Sequence, residues 1–266
     1  HLIIERAHDD AIRIIGEAQR VWIHRMTLRD SGDGLVDIAR GSTDVTVSWC
    51  RFDDHRKTML ISANYTHGQD ENIRVTIHHN FFNGTDGRHP RVRFAKVHVL
   101  NNYYLENGYS IGCSHLAECY IEGNLFKSTD RAVITQVGSD PELGKTRLEN
   151  NLFLTETYAD ERKPGDVFEP SDFYDYRAET ADEALRELIV AQAGWRQADA
   201  DNIEYPTPVE MISDEGDVAA EVSQNGESVC VQGPSPELPH LCLIDGTEDA
   251  NELSGTELAE HLVGHG

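Results

Sequence analysis

The chain has 266 residues, 39% of them apolar, and a formal net charge of −24. That is enough to build a buried core in one large domain or two ordinary ones. No apolar run approaches the ~18–20 residues of a membrane-spanning helix, and the negative charge argues against nucleic acid as a partner.

The charge is unevenly spread. Residues 1–150 carry 20 acidic against 18 basic residues, whereas 151–266 carry 27 against 5. Lysine is scarce, with 5 against 18 arginines. Such a composition fits a protein adapted to high salt, where ions screen self-repulsion, and equally an acidic tail on a neutral domain. The chain opens at His1 without a charged region followed by an apolar one, so either a leader has been removed or the sequence is a fragment.

From the N-terminus, acidic residues come first: Asp9 and Asp10 in HDDAI, then Asp33 and Asp37 in SGDGLVDI. Six segments then share one alternating, β-rich pattern. They are VWIHRMTL from Val21, VTVSWCRF from Val45, VTIHHNFF from Val75, VHVLNNYY from Val97, CYIEGNLF from Cys119 and TRLENNLF from Thr146. Overlaid, they align Met26, Cys50, Asn80, Asn102, Asn124 and Asn151 at spacings of 24, 30, 22, 22 and 27. A constant core with variable insertions is what a solenoid gives, since one coil cannot bury its own apolar face and neighbours must share a core. The β-branched alternation selects strands over helix pairs. The expected fold is therefore all-β, a right-handed single-stranded parallel β-helix. The asparagine column predicts a stacked hydrogen-bonded ladder at a sharp bend, where asparagine also tolerates left-handed backbone.

Between the repeats lies a basic group: Lys57 in DDHRKTMLI, then Arg88, Arg91 and Arg93 in GRHPRVRFAKVHV. Arg91 and Arg93 on one strand point to the same side, and arginine binds carboxylates through paired hydrogen bonds. Acids one or two coils away suggest an anionic ligand bridged by a cation. Asp10 precedes Asp33 by about one coil, which suits an open calcium site, although surface aspartates are more often solvated. His78 and His79, adjacent on a strand, are expected to face opposite ways, and no HExxH or GxSxG motif occurs. The five cysteines show no zinc spacing. Cys113 with Cys119, or Cys230 with Cys242, are bridge candidates.

After Asn151 the repeat stops. Thr180–Gly194 predicts an amphipathic helix, with Thr180 as N-cap ahead of Glu183 and with Leu185, Leu188 and Ile189 on one face. The division expected is a β-helix domain over 1–195 and an acidic, loosely ordered tail over 196–266.

Over about residues 8 to 195 the sequence resembles the pectate lyase family of parallel β-helix polysaccharide lyases. GDGLVDIARGSTDVTVSWCRFDDHRKTML and VTIHHNFFNGTDGRHPRVRFAKVHVLNNYY carry the resemblance, and RHPRVRF followed by VHVLNNYY is its most specific part. It implies a secreted, extracellular, monomeric enzyme that cleaves polygalacturonate by β-elimination with Ca2+. It also implies Asp10, Asp33 and Asp37 as calcium ligands, Lys57 and Arg93 as substrate-binding residues with Arg91 beside them, and Arg88 as catalytic base. His8 stands where some members carry a further acidic ligand. Members also have N-terminal coils and a cap ahead of the segment matching HLIIERAHDD, which favours the fragment reading. Related pectin lyases act on methylated substrate without calcium and lack the full acidic set; a non-catalytic module binding acidic polysaccharide is the remaining alternative.

Overall fold

The alternation in each repeat produces a strand with one buried side. Val75 and Ile77 are buried, and Thr76 between them is not. The computed structural model describes residues 2–155, 157, 159–160 and 164–196, with the backbone of short strands at 230–231, 241–242 and 251–254. In it the strands stack into the expected parallel β-helix, with three sheets running its length.

The first sheet contains Ile12–Ile15, Val36–Ile38, Met59–Ile61, Arg91–Val92, Tyr109–Cys113, Arg131–Ile134 and Ala159–Asp160. Asn251–Ser254 lies parallel to Ile12–Ile15 at its other edge. The second sheet runs from Trp22–His24 through Val45–Ser48, Arg74–His78, Lys96–Leu100 and Glu118–Glu122 to Lys145–Glu149. The third runs from Leu2–Glu5 through Met26–Arg29, Arg51–Asp53, Phe81–Asn83, Tyr103–Leu105 and Leu125–Lys127 to Leu152–Leu154. Each recognised repeat is thus a second-sheet strand, a bend and a third-sheet strand. The strand registers follow the sequence spacings, as in Trp22 beside Thr46, Val45 beside Val75 and Cys119 beside Thr146.

The ladder forms at that bend. Asn80 Oδ1 accepts from the Cys50 N–H at 2.8 Å, and Asn102 Oδ1 from the Asn80 N–H at 2.9 Å. Asn124 Oδ1 accepts from the Asn102 N–H at 2.9 Å, and Asn151 Oδ1 from the Asn124 N–H at 3.0 Å. The left-handed backbone belongs to the preceding column: Arg25, Trp49, His79, Asn101, Gly123 and Asn150 have φ between 51° and 62°. The ladder asparagines therefore serve the bend through their amides, while Asn101 and Asn150 beside them take the left-handed backbone. His79 also sits at the bend, not on the strand. Its ring turns toward His78 instead of away, with 2.9 Å between the two Nδ1 atoms.

Inside, Phe52, Phe82, Tyr104 and Phe126 stack at centroid separations of 4.9, 4.9 and 4.6 Å, and the exposed Phe153 ends the stack 5.3 Å from Phe126. Offset ring stacks add to apolar burial. The Cys113–Cys119 disulfide is present, and Cys50 is a buried thiol pushed up to about 12 by its burial. Outside, the helix Glu183–Gln192 covers Phe81, Tyr103 and Leu125 with Leu185, Ile189 and Ala193. Its N-cap is Asp182, which accepts from the Leu185 N–H at 3.0 Å, and not Thr180. Leu188 is 40% exposed and lies outside the contact face that Leu185, Ile189 and Ala193 make. Most of the tail expected over 196–266 lies outside the described residues.

Candidate functional site

Along the first sheet, strands place single residues outward between buried apolar neighbours. Val36 and Ile38 are fully buried, and Asp37 between them stands on the outer side in register with Arg13 and Leu60. The same column continues to Arg91 and Gly112. Parallel pairing without stagger therefore sets an acid and a base two coils apart on one face.

The loops that lead into these strands bring in the other acids. Asp10 is buried, and its Oδ1 accepts the Gly34 N–H at 2.8 Å. A Cβ at Gly34 would lie 2.8 Å from Asp10 Oδ1 and 3.0 Å from Asp37 Oδ1. Glycine is thus what lets carboxylates from adjacent coils converge. Asp9, Asp10 and Asp33 each offer an oxygen within 4.8 Å of the others. Arg13 lies 3.6 Å from Asp10 and 3.7 Å from Asp9.

The electrostatics differ from acid to acid. Burial raises Asp10, against the opposing Gly34 N–H. Burial, reinforced by the Asp10 charge, pushes Asp37 up to about 7. Asp33 is instead held below the carboxylate range by its bond to Lys57, the two forming an ion pair across coils. Asp37 Oδ1 is buried without a hydrogen-bond partner among the described residues. A crowded set of carboxylates with one orphaned oxygen fits a hard divalent cation, and all-oxygen donors suit calcium better than zinc. Asp10 and Asp33 thus cluster with Asp9, which the sequence reading left out of the ligand set, and Asp37 faces Asp10 across Gly34.

Two coils above Asp37, the basic residues divide into two kinds. Arg88 is half-buried at a φ of 68°, with its carbonyl accepting from the Met59 N–H at 2.7 Å. Among the described residues its side chain has no hydrogen bond or ion pair, though its charge reaches Asp33 and Asp37. Arg91 and Arg93 do point to one side, but both meet a residue that sequence reasoning missed. Arg93 Nε donates to Asp140 at 3.0 and 3.1 Å, and an Nη donates to the carbonyls of Ser62 and Ala63 at 3.1 Å. Arg91 donates to Asp140 at 3.3 Å. Burial would raise Asp140, but hydrogen bonds from Ser114 and Arg93 overcome it and hold the carboxyl low. Asp140 sits in an insertion 47 residues beyond Arg93, so no local spacing marks it.

A family model described as pectate lyase matches residues 6–197. Among curated relatives, pectate lyase 4 of Ambrosia artemisiifolia is 42% identical over 123 residues, covering 46% of this chain and 31% of that protein. Probable pectate lyase P56 of Solanum lycopersicum is 33% identical over 174 residues, 64% of this chain and 44% of that protein. The chain thus spans less than half the length of these relatives. Of solved structures, pectate lyase II from Xanthomonas campestris superposes with a TM-score of 0.62 at 25% identity, covering 70% of this chain and 64% of that one. A pectate lyase of Bacillus sp. N165, in complex with trigalacturonate, gives 0.58 at 26% identity, covering 70% and 62%. With nearly all of the coiled fold, the acidic loops and the arginine strand inside the matched span, the chain belongs to the pectate lyase family.

Proposed function

We propose that this chain carries the activity of a calcium-dependent pectate lyase, secreted and acting on polygalacturonate by β-elimination to leave 4,5-unsaturated ends. The observation that carries this reading is Arg88, a guanidinium without a side-chain hydrogen bond or ion pair among the described residues, set above converging carboxylates. The trigalacturonate in the Bacillus sp. N165 relative supports the substrate class, and the Cys113–Cys119 bridge suits an oxidising compartment.

The proton on C5 of a galacturonosyl unit is α to a carboxylate and only weakly acidic. Asp10, Asp33 and Asp37, with Asp9 beside them, would hold calcium, whose positive charge would favour the enolate-like character developing on that carboxylate. Lys57, Arg91 and Arg93 add fixed positive charge from the adjoining coils, preorganised for a polyanion. Arg88 takes the C5 proton, the C4–O bond to the next unit breaks, and the departing oxygen takes a proton from solvent. Guanidinium groups hold their proton beyond ~12 in water, so an arginine base implies a rate that climbs toward alkaline pH.

The test follows absorbance near ~235 nm, where a double bond conjugated to a carboxylate absorbs, with polygalacturonate at alkaline pH in calcium or EDTA. Arg88→Ala is expected to lower kcat by about 10²–10⁴, the span of general-base contributions, with an unchanged urea midpoint. A folded Arg88→Ala protein with wild-type rate would remove Arg88 from the reaction. Activity indifferent to EDTA and favouring methylated substrate would identify a pectin lyase. Binding without unsaturated ends would identify a non-catalytic module.

A further inference from the structure

Arg91 on the short strand and Arg93 just past its end converge on one carboxylate, and their like charges would drive the two side chains apart if nothing lay between them. Asp140 lies between them. It is 3% exposed, and Arg93 beside it is 7% exposed, so neither charge is dispersed by water. Arg93 Nε reaches both carboxylate oxygens, and Arg91 reaches one of them. Ser114 Oγ donates to Asp140 at 2.6 Å and fixes the carboxylate itself. The backbone helps as well: Arg91 also donates to the Val137 carbonyl at 3.3 Å, and Asp140 N–H donates to the same carbonyl at 3.3 Å. The loop carrying Asp140 lies close over the first sheet, since a Cβ at Gly112 would come within 2.7 Å of Val137.

We propose that Asp140 is a positioning residue for uronate binding, holding Arg91 and Arg93 side by side on the coil that also carries Arg88. This rests on the lyase reading and deepens it. Asp140 touches no substrate; it acts through the arginines. A mobile arginine would have to be ordered again each time a uronate carboxylate arrives, and Asp140 removes that cost in the free protein. Because the pair contributes to binding and Arg88 contributes to proton transfer, disturbing Asp140 should move KM more than kcat.

The variant is Asp140→Asn, isosteric but without the charge, and Asp140→Glu restores the charge. Unsaturated product is followed over a range of polygalacturonate concentrations in calcium, with the fold checked by near-UV circular dichroism. Trigalacturonate affinity is measured by calorimetry in an Arg88→Ala background, where turnover does not interfere. Asp140→Asn is expected to raise KM about tenfold, with kcat within about threefold. Trigalacturonate affinity should weaken in step, and Asp140→Glu should recover most of the loss. A folded Asp140→Asn protein with unchanged KM and unchanged affinity overturns the proposal, and so does a fall in kcat at constant KM. If Asp140→Asn does not fold, Ser114→Ala removes the 2.6 Å bond while leaving the charge in place. It should raise KM about two- to threefold, and an unchanged KM there overturns the proposal equally. A wild-type chain that neither forms unsaturated ends nor binds trigalacturonate would overturn the lyase reading, and this inference with it.

Discussion

Asp37→Asn should make the metal-free protein more stable while destroying the proposed cation site. The Asp37 carboxyl is pushed from 3.8 to about 7 by burial and by the neighbouring Asp10 charge. At ~1.4 kcal/mol for each pH unit, its ionised form is disfavoured by up to ~4 kcal/mol. The side chain keeps partial contact with solvent, which brings the expected effect to ~2 kcal/mol. The folded protein holds this proton more tightly than the unfolded chain does. Stability from this group is therefore full below pH ~4, and falls as pH rises through about 7. Asparagine does not ionise, so in EDTA at pH 8 the variant should be ~2 kcal/mol more stable, and near pH 4 the two should coincide. Urea midpoints across that range measure the difference. Calcium at about 100 times its Kd should then stabilise the wild type by ~2.7 kcal/mol and the variant hardly at all. A variant no more stable than wild type at pH 8 in EDTA, or equal calcium stabilisation of both, would refute the reasoning.

Two further outcomes follow from the architecture. Asn102→Ala removes a fully buried amide that bonds Asn80, Asn124 and the carbonyls of Ile77 and Leu100. Leaving the Asn80 N–H and the Ile77 carbonyl without this partner should cost roughly 3–5 kcal/mol in urea unfolding, whereas Asn151→Ala, at the half-buried end of the ladder, should cost roughly half as much. Ile189→Ala at the fully buried centre of the helix contact should cost ~2–4 kcal/mol, and hydrogen exchange should rise first over Glu183–Gln192.

How much of this was legible beforehand depends on which strand of the coil is considered. The second and third strands and their bend have a fixed length, so Asn80, Asn102, Asn124 and Asn151 fall into register by eye. The first strand, which carries Asp37 and Arg91, follows insertions of varying length and forms no column in the sequence. Its acids and bases were readable only through residue chemistry and the family pattern. The Thr180 cap failed because Asp182 stands nearer the first helical turn and has an equally good oxygen. His79 was misplaced because a single left-handed residue at the bend rotates its ring back onto His78. Asp140 was invisible for a more general reason. Its partners are distant in sequence and arrive through the stacking of coils, which no local pattern encodes.

The parallel register of the first sheet also works as a ruler. Neighbouring strands in a sheet lie ~4.8 Å apart, so distances along this face come only in multiples of that step. Asp10, Asp37, Lys57 and Arg88 stand on four successive coils, which sets the outermost two ~14 Å apart. A coil gained or lost elsewhere would lengthen or shorten the rod without touching this interval. One gained or lost between Asp10 and Arg88 would shift acid against base by a whole step while leaving the hydrophobic core intact. On the proposed lyase reading the reaction, and not the core, is what would suffer from such a change, because folding alone would tolerate it.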